Sequence, residues 1–237
     1  MRKLAIAVAL ASTAIATPAL ARDDAWYIGV EGGASIVEDS NLDIGTTNNA
    51  ANVNHDYGYD FDGIIGYDFG GFRLEAEVGY KQAAADSYTS SLPTPTSHPT
   101  LRAPAGTYNG VGGKTNALSF MLNGLLDFGD DDSLNGFVGG GVGVARVKSA
   151  LSIDSAGADF LNDSDTGLAW QAIAGVRAPI SDNWDVGLKY RFFNAPGVDM
   201  VDRLGRDVST KYRSHSILGS LIYNFGEPAA PPPPPPP

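Results

Sequence analysis

The chain has 237 residues, no cysteine and a formal net charge of −11. The missing cysteines exclude a disulfide framework, so an exported fold must draw its stability from elsewhere, and the acidic balance argues against a nucleic-acid partner. A mean hydropathy of −0.09 matches a water-soluble protein, yet such an average also conceals a membrane barrel, whose strands alternate apolar and polar residues.

Residues 1–21 open with Arg2 and Lys3, continue as an apolar run from Leu4 to Ala16 and end in Ala19, Leu20 and Ala21. This is the pattern of a cleaved secretory signal peptide. The run is shorter than the roughly 20 residues a spanning helix needs. Removing it leaves 237 − 21 = 216 residues, with 14 basic against 27 acidic side chains, a charge of 14 − 27 = −13. The excess acid is read first as solvation of exposed loops.

The first strand is expected over residues 25–35, with Trp26, Ile28 and Val30 on one face and Tyr27, Gly29, Glu31 and Gly33 on the other. An Asn-rich loop, 36–56, follows. Residues 57–80 then form a hairpin about Gly70 and Gly71. Its greasy face holds Tyr57, Tyr59, Phe61, Ile65, Tyr67, Phe69, Phe72, Leu74, Ala76, Val78 and Tyr80. Its other face holds Asp60, Asp62, Asp68, Arg73, Glu75, Glu77 and Lys81. Period two over this length is strand, although a soluble hairpin would show the same alternation.

Residues 82–114, rich in Ser, Thr, Pro and Gly, read as a long loop. The fourth strand, 116–128, sets Leu118, Phe120, Leu122, Leu126 and Phe128 against Ser119, Met121, Asn123 and Asp127. A tight turn at Asp130, Asp131 and Asp132 leads to the fifth, 134–147, where Gly139, Gly141 and Gly143 face Val138, Val142 and Val144 across the strand. Inward glycines leave room in a narrow lumen. The glycine run is no dinucleotide fingerprint, because no helix pattern follows it.

After an acidic loop, 149–166, the sixth strand, 167–178, turns Leu168, Trp170 and Val176 outward and Gln171, Gly175 and Arg177 inward. The seventh begins at Trp184, with Val186, Leu188, Tyr190 and Phe192 outward and Asp185, Gly187, Lys189 and Arg191 inward. A loop at 194–211 precedes the eighth, 213–225, which places Ile217, Leu221, Tyr223 and Phe225 outward.

Eight strands with three short and four long connections predict an all-β, antiparallel up-and-down transmembrane barrel over residues 22–226, its short turns periplasmic and its four long loops extracellular. The alternation also sorts aromatic residues by height. Trp26, Phe69, Phe72, Phe128, Trp184, Tyr223 and Phe225 fall at the short-turn rim, and Tyr59, Tyr80, Phe120, Trp170 and Tyr190 toward the other. A membrane barrel needs two such girdles; a soluble sandwich does not. Residues 227–237 form a Pro-rich tail of polyproline II type, read as a spacer or the start of a truncated linker.

Glu31, Glu77 and Lys189 each lie five residues past the aromatic that opens an odd strand, which predicts a shared level near mid-barrel. Glu31 and Glu77 are expected to pair there with Lys189 and Arg177, in a lumen network that also includes Glu75 and Arg191, because an unpaired charge in a confined lumen is costly.

A search for chemistry yields no catalytic assignment. His55 and His98 fall in loops, and His215, between Ser214 and Ser216, falls by parity on the outer face near the extracellular rim. A Ser-His-acid arrangement is the minor alternative there to a rim histidine near lipid headgroups. No residue set has metal-ligand spacing and no cofactor is implied. Asp154, Asp159, Asp163 and Asp165 could gather a cation between lipopolysaccharide phosphates, with plain solvation the preferred reading.

Four places together resemble the OmpA-type eight-stranded outer-membrane β-barrel and the alphaproteobacterial surface proteins related to it: Trp26-Tyr27 with inward Glu31, LEAEVGY with inward Glu77, LKY with inward Lys189, and the closing YNFG from Tyr223. The resemblance implies location in the cell outer membrane, contact with outer-membrane lipid and lipopolysaccharide, and engagement of the barrel assembly machinery through the C-terminal strand. It also implies surface loops open to an extracellular ligand, and no enzyme activity. Peptidoglycan would be a partner only through a C-terminal domain that this sequence lacks. The expected function is a structural barrel that supports the envelope and presents surface loops. A narrow gated pore for ions or small solutes is the alternative, and a lipid-modifying barrel enzyme the third reading.

Overall fold

The computed structural model describes residues 24–225 apart from 97, 99, 130–132 and 154–158. The expected signal peptide, the Pro-rich tail, the turn at Asp131 and the side chain of Asp154 lie outside the described residues.

In chain order the strands are β1 (Ala25–Val37), β2 (Ser40–Ile44), β3 (Thr47–His55), β4 (Gly58–Asp68), β5 (Phe72–Ser90), β6 (Thr94–Pro95), β7 (Arg102–Ala103), β8 (Gly106–Asn109), β9 (Gly112–Phe128), β10 (Asn135–Ser152), β11 (Leu161–Pro179), β12 (Trp184–Val201) and β13 (Asp207–Asn224). Among the described residues eight of them, β1, β4, β5 and β9 to β13, pair antiparallel with their neighbours, and β13 pairs back onto β1. Through the apolar band these eight strands close into a ring among the described residues, the condition for hydrogen-bonded backbone to cross lipid.

Following partners around the ring from Trp26 leads through Tyr67, Leu74, Gly124, Gly140, Ala172, Phe192 and His215 back to β1 at Ile36, a stagger of 36 − 26 = 10 residues. Such a shear tilts the strands by about 40°, so each row of side chains climbs toward the extracellular rim on the way from β1 to β13.

Side chains obey parity throughout the apolar band. Trp26, Val30, Phe61, Val78, Phe120, Val142 and Leu188 are exposed on the outside, while Glu31, Asp62, Glu77, Asn123 and Lys189 are buried inside. The tight turn holds as read, with Gly70 at φ +91° and its amide donating to Asp68 Oδ1 at 2.9 Å. The inward glycines answer to neighbouring atoms: a Cβ at Gly141 would overlap Asn123 Oδ1, and one at Gly66 would overlap the Tyr27 ring.

The segments read as long loops differ from expectation. Strands β5, β10, β11, β12 and β13 run on well beyond the apolar band, and residues 40–55 form the hairpin of β2 and β3. That hairpin bridges β13 and β5 above the shorter β1 and β4. The physical reason is a change of phase. Within the band the apolar face is the outer one; above it the inner face becomes apolar, with Ala83, Ala85, Ala117, Ala145, Val147, Leu151, Phe193, Ala195, Val198, Met200 and Tyr212 packed into one core with Leu42, Ile44 and Val53 of the hairpin. The alternation continues, but its greasy face changes sides.

Candidate functional site

Parity and register together fill the membrane-spanning lumen with charge. Glu31, Asp60, Asp62, Asp68, Arg73, Glu75, Glu77, Lys81, Arg177, Asp185, Lys189 and Arg191 are each at most 7% exposed, and the side chain of Asp127 is 4% exposed. They stand in three layers.

In the layer nearest the short turns, Arg73 holds Asp127 through two parallel bonds of 2.8 Å, the bidentate geometry that makes a guanidinium–carboxylate pair strong. Its guanidinium also lies 4.9 Å from the Phe137 ring centroid. Arg177 meets Asp68 at 3.2 Å and Asp185 at 3.6 Å. It therefore does not join Glu31 and Glu77, as the sequence reading expected, because it lies near the bottom of β11 rather than at mid-height. Glu75 accepts from the Tyr27 hydroxyl at 2.8 Å and stands 3.8 Å from Arg73.

The middle layer brings Glu31, Glu77 and Lys189 together. Lys189 contacts Glu31 closely and lies 3.8 Å from Glu77. Glu77 also accepts from Asn123 at 3.0 Å and from Gln171 at 3.2 Å. The upper layer is centred on Arg191, which reaches Asp62 at 2.6 Å, Asp60 at 3.3 Å, Glu77 at 3.4 Å and Glu31 at 3.4 Å. Lys81 supports it at 3.3 Å from Asp60. Lys81 also sits 4.7 Å from the ring of Phe193, where the apolar core begins.

Counted among the described residues, eight lumen carboxylates face five cations. Neutral donors take up part of the difference, since Tyr27, Asn123, Gln171 and Asn224 all donate to carboxylate oxygens. Asp60, Asp62, Lys81, Arg73, Asp68, Asp127 and Asp185 were legible as members of the inner face but not as partners. Parity gives the face of a residue; only register gives its height.

Most of the aromatic residues assigned to girdles gather at two levels, whereas Phe120 stands mid-strand opposite Val78. At the lower one Trp26 packs edge-on against Tyr67 at 5.3 Å, Phe69 against Phe72 at 6.2 Å, and Trp184 and Phe225 against Tyr223 at 5.1 Å each; Phe128 is exposed. At the upper rim Tyr59 meets Tyr80 at 6.3 Å and Trp170 meets Phe192 at 5.4 Å, while Tyr190 lies lower and bonds upward to His215 Nδ1 at 2.8 Å. The other nitrogen of His215 lies 3.0 Å from Glu38, which also accepts from Arg213. Ser214 and Ser216 point into the barrel, 0% and 1% exposed, on the face opposite His215. The Ser-His-acid arrangement is thus not assembled.

Asp163 and Asp165 have a structural use. Above Trp170 and Asn194 the ladder between β11 and β12 lapses, and there Asp165 accepts from the Asp199 amide at 3.0 Å and Asp163 from the Val201 amide at 2.9 Å. Their carboxylates replace ladder carbonyls, and Asp159 accepts from Asn162. No cluster able to hold a metal occurs among the described residues.

His55 lies on β3, its Nε2 3.1 Å from Thr115 Oγ1, rather than in a loop. Burial pushes its pKa down to about 4, against the weaker opposing pull of the Asp39 carboxylate. In the unfolded chain a histidine titrates near ~6.5, so between those values the unfolded state binds more protons. Stability should be complete above about pH 6.5 and fall by about 2–3 kcal/mol as the pH drops to about 4. The check is the urea unfolding midpoint across that window, which His55→Gln should flatten.

Comparison with known proteins gives a family model described as outer membrane protein beta-barrel domain, matching residues 7–225. Outer membrane protein PagN of Salmonella typhimurium is 26% identical over 117 residues, 45% of this chain and 49% of that protein, so the chain spans about half the length of that relative. A candidate adhesin of Rickettsia bellii is 21% identical over 249 residues, covering 94% of this chain and 100% of that protein. Among solved structures, the outer membrane protein OprG from Pseudomonas aeruginosa superposes with a TM-score of 0.54 at 11% identity, over 86% of this chain and 98% of that one.

Proposed function

Because the chain belongs to the outer membrane protein beta-barrel domain family and its place is the cell outer membrane, we propose that it is a non-conducting, non-enzymatic barrel, a rigid base presenting a folded extracellular surface for attachment. The observation that supports this is the filled interior. Charge layers occupy the membrane-spanning lumen from Asp185 to Arg191, and the core around Phe193, Val147 and Leu42 roofs it. An eight-stranded barrel leaves little more than the volume of its own side chains, and here those side chains are mutually bonded. The similarity to proteins described as adhesins supports attachment as the use of the outer surface, and the lumen ion pairs are then a stability device rather than a gate.

The test has two readouts on the full chain. In planar bilayers it should show no steady conductance, and displayed on a non-adherent Gram-negative cell it should raise attachment to a host-cell layer. Steady conductance would replace this reading with the gated pore; no gain in attachment would leave only the envelope-supporting role.

A further inference from the structure

We propose that Tyr190 is a redox site, a phenol that gives one electron to a peroxyl radical at the outer surface of the barrel while its proton passes to His215. Of the ten tyrosines in the chain, two place the hydroxyl against a group that can take its proton, among the described residues. Tyr27 meets Glu75, but it is 1% exposed inside the lumen, out of reach of an oxidant. Tyr190 is 42% exposed on the outer wall, and its hydroxyl lies 2.8 Å from His215 Nδ1. Its direct cross-strand neighbours are Ala174 and Ile217, which offer that hydroxyl no competing polar group.

The direction of the Tyr190 hydrogen bond is set from the far side of the imidazole. His215 Nε2 lies 3.0 Å from Glu38 Oε1. The bond from His215 and the Arg213 guanidinium, 3.4 Å away, hold the Glu38 carboxyl below the usual carboxylate range, so Glu38 is an anion and only accepts. Nε2 therefore carries the imidazole proton, and Nδ1 turns its lone pair toward Tyr190. The Tyr190 O–H donates to it. Glu38 is a positioning residue, since it fixes the tautomer, and Phe192, packed against the imidazole at 5.1 Å, holds the ring in place.

A phenol that loses an electron becomes a strong acid, so its proton must leave with the electron. An acceptor already within hydrogen-bond reach, about 2.6–3.2 Å, lets both leave in one step. The peroxyl radical takes one electron from Tyr190 and becomes a peroxide anion. The Tyr190 O–H bond breaks, its proton forms an N–H bond at His215 Nδ1, and a neutral phenoxyl radical is left beside an imidazolium. The Glu38 carboxylate stabilises that imidazolium, as an acid does behind a histidine base. The imidazolium then returns the proton through water at the exposed rim to the peroxide anion, which leaves as a hydroperoxide. Each chain traps one radical, so the site consumes an oxidant without making the barrel an enzyme.

The experiment mixes the full chain, folded in detergent micelles, with tris(bipyridine)ruthenium(III), an oxidant that takes an electron and no proton, and in a second arm with peroxyl radicals from a thermal azo initiator. Loss of the ruthenium oxidant is followed by stopped flow and the protein radical in both arms by freeze-quench electron paramagnetic resonance. Folding is verified for each variant by heat-modifiable electrophoretic mobility. The unaltered chain should show a fast phase of one electron per chain that slows in deuterium oxide, with a tyrosyl signal in both arms. Tyr190→Phe should remove the fast phase and the signal. His215→Phe, which keeps a ring against Phe192 but removes the acceptor, should slow the fast phase on the order of a hundredfold, and Glu38→Gln should slow it less. Tyr59→Phe with Tyr80→Phe should leave it intact. The proposal fails if Tyr190→Phe retains the fast phase, if the radical resides on a tryptophan, if His215→Phe is oxidised as fast as the unaltered chain, or if peroxyl radicals raise no signal that depends on Tyr190.

Discussion

Arg191→Met should lower the stability of the barrel by about 3–5 kcal/mol, the cost of stripping one partner from a buried charge network. The guanidinium is 0% exposed and touches Glu31, Asp60, Asp62 and Glu77. Without it those four carboxylates share Lys81 and Lys189, in a lumen whose roof is the apolar ring of Phe193. The measurement is equilibrium urea unfolding in lipid vesicles. Coupling to Asp62 is tested in the same assay: Asp62→Asn on the Arg191→Met background should recover part of the loss, because it removes one of the uncompensated charges. A loss under about 1 kcal/mol would mean that water reaches the network and solvates it, which would favour the pore reading.

Leu188→Arg should cost about 2–4 kcal/mol, because the side chain faces lipid near the middle of the apolar band. Leu168→Arg, 78% exposed at the upper edge of the band, should cost no more than about 1 kcal/mol in the same assay. Ser119→Arg is a third case. From sequence it is an inward polar position and therefore tolerant if room exists, but the structure shows no room. Ser119 is 0% exposed, and a Cβ on neighbouring Gly79 would lie 3.0 Å from Ser119 Oγ and 3.1 Å from Lys81 Nζ. A second cation beside Lys81 should therefore destabilise at least as much as Leu188→Arg. Equal tolerance of Leu188→Arg and Leu168→Arg would mean that depth in the bilayer has no effect on stability, contrary to a spanning barrel.

The strands inside the membrane were legible because one physical rule governs them: lipid outside and a narrow lumen inside force a two-residue period with a fixed apolar face. Phe72 to Tyr80 and Trp184 to Phe192 state that rule without help from any distant residue. The aromatic rims follow from the same rule, since both ends of every spanning strand meet headgroups. Beyond the band the rule reverses, as water lies outside and the apolar core inside. A reading tied to one greasy face therefore stops at Tyr80 and Phe192, where β5 and β12 in fact continue through Ala83, Ala85, Phe193 and Ala195.

Pairing was the part that the sequence alone could not decide. Glu31, Glu77 and Lys189 could be placed at one height because each follows an aromatic rim residue by five positions along parallel-running strands. Arg177 runs on a descending strand, and its height depends on the ten-residue stagger of the closed ring, a property of all eight registers together. The tertiary structure set that stagger, and with it sent Arg177 to Asp68 and Asp185 and gathered Asp60, Asp62 and Lys81 around Arg191. Which face a residue occupies is local and written in the alternation; which residue it meets across the barrel is fixed only when the last strand closes on the first.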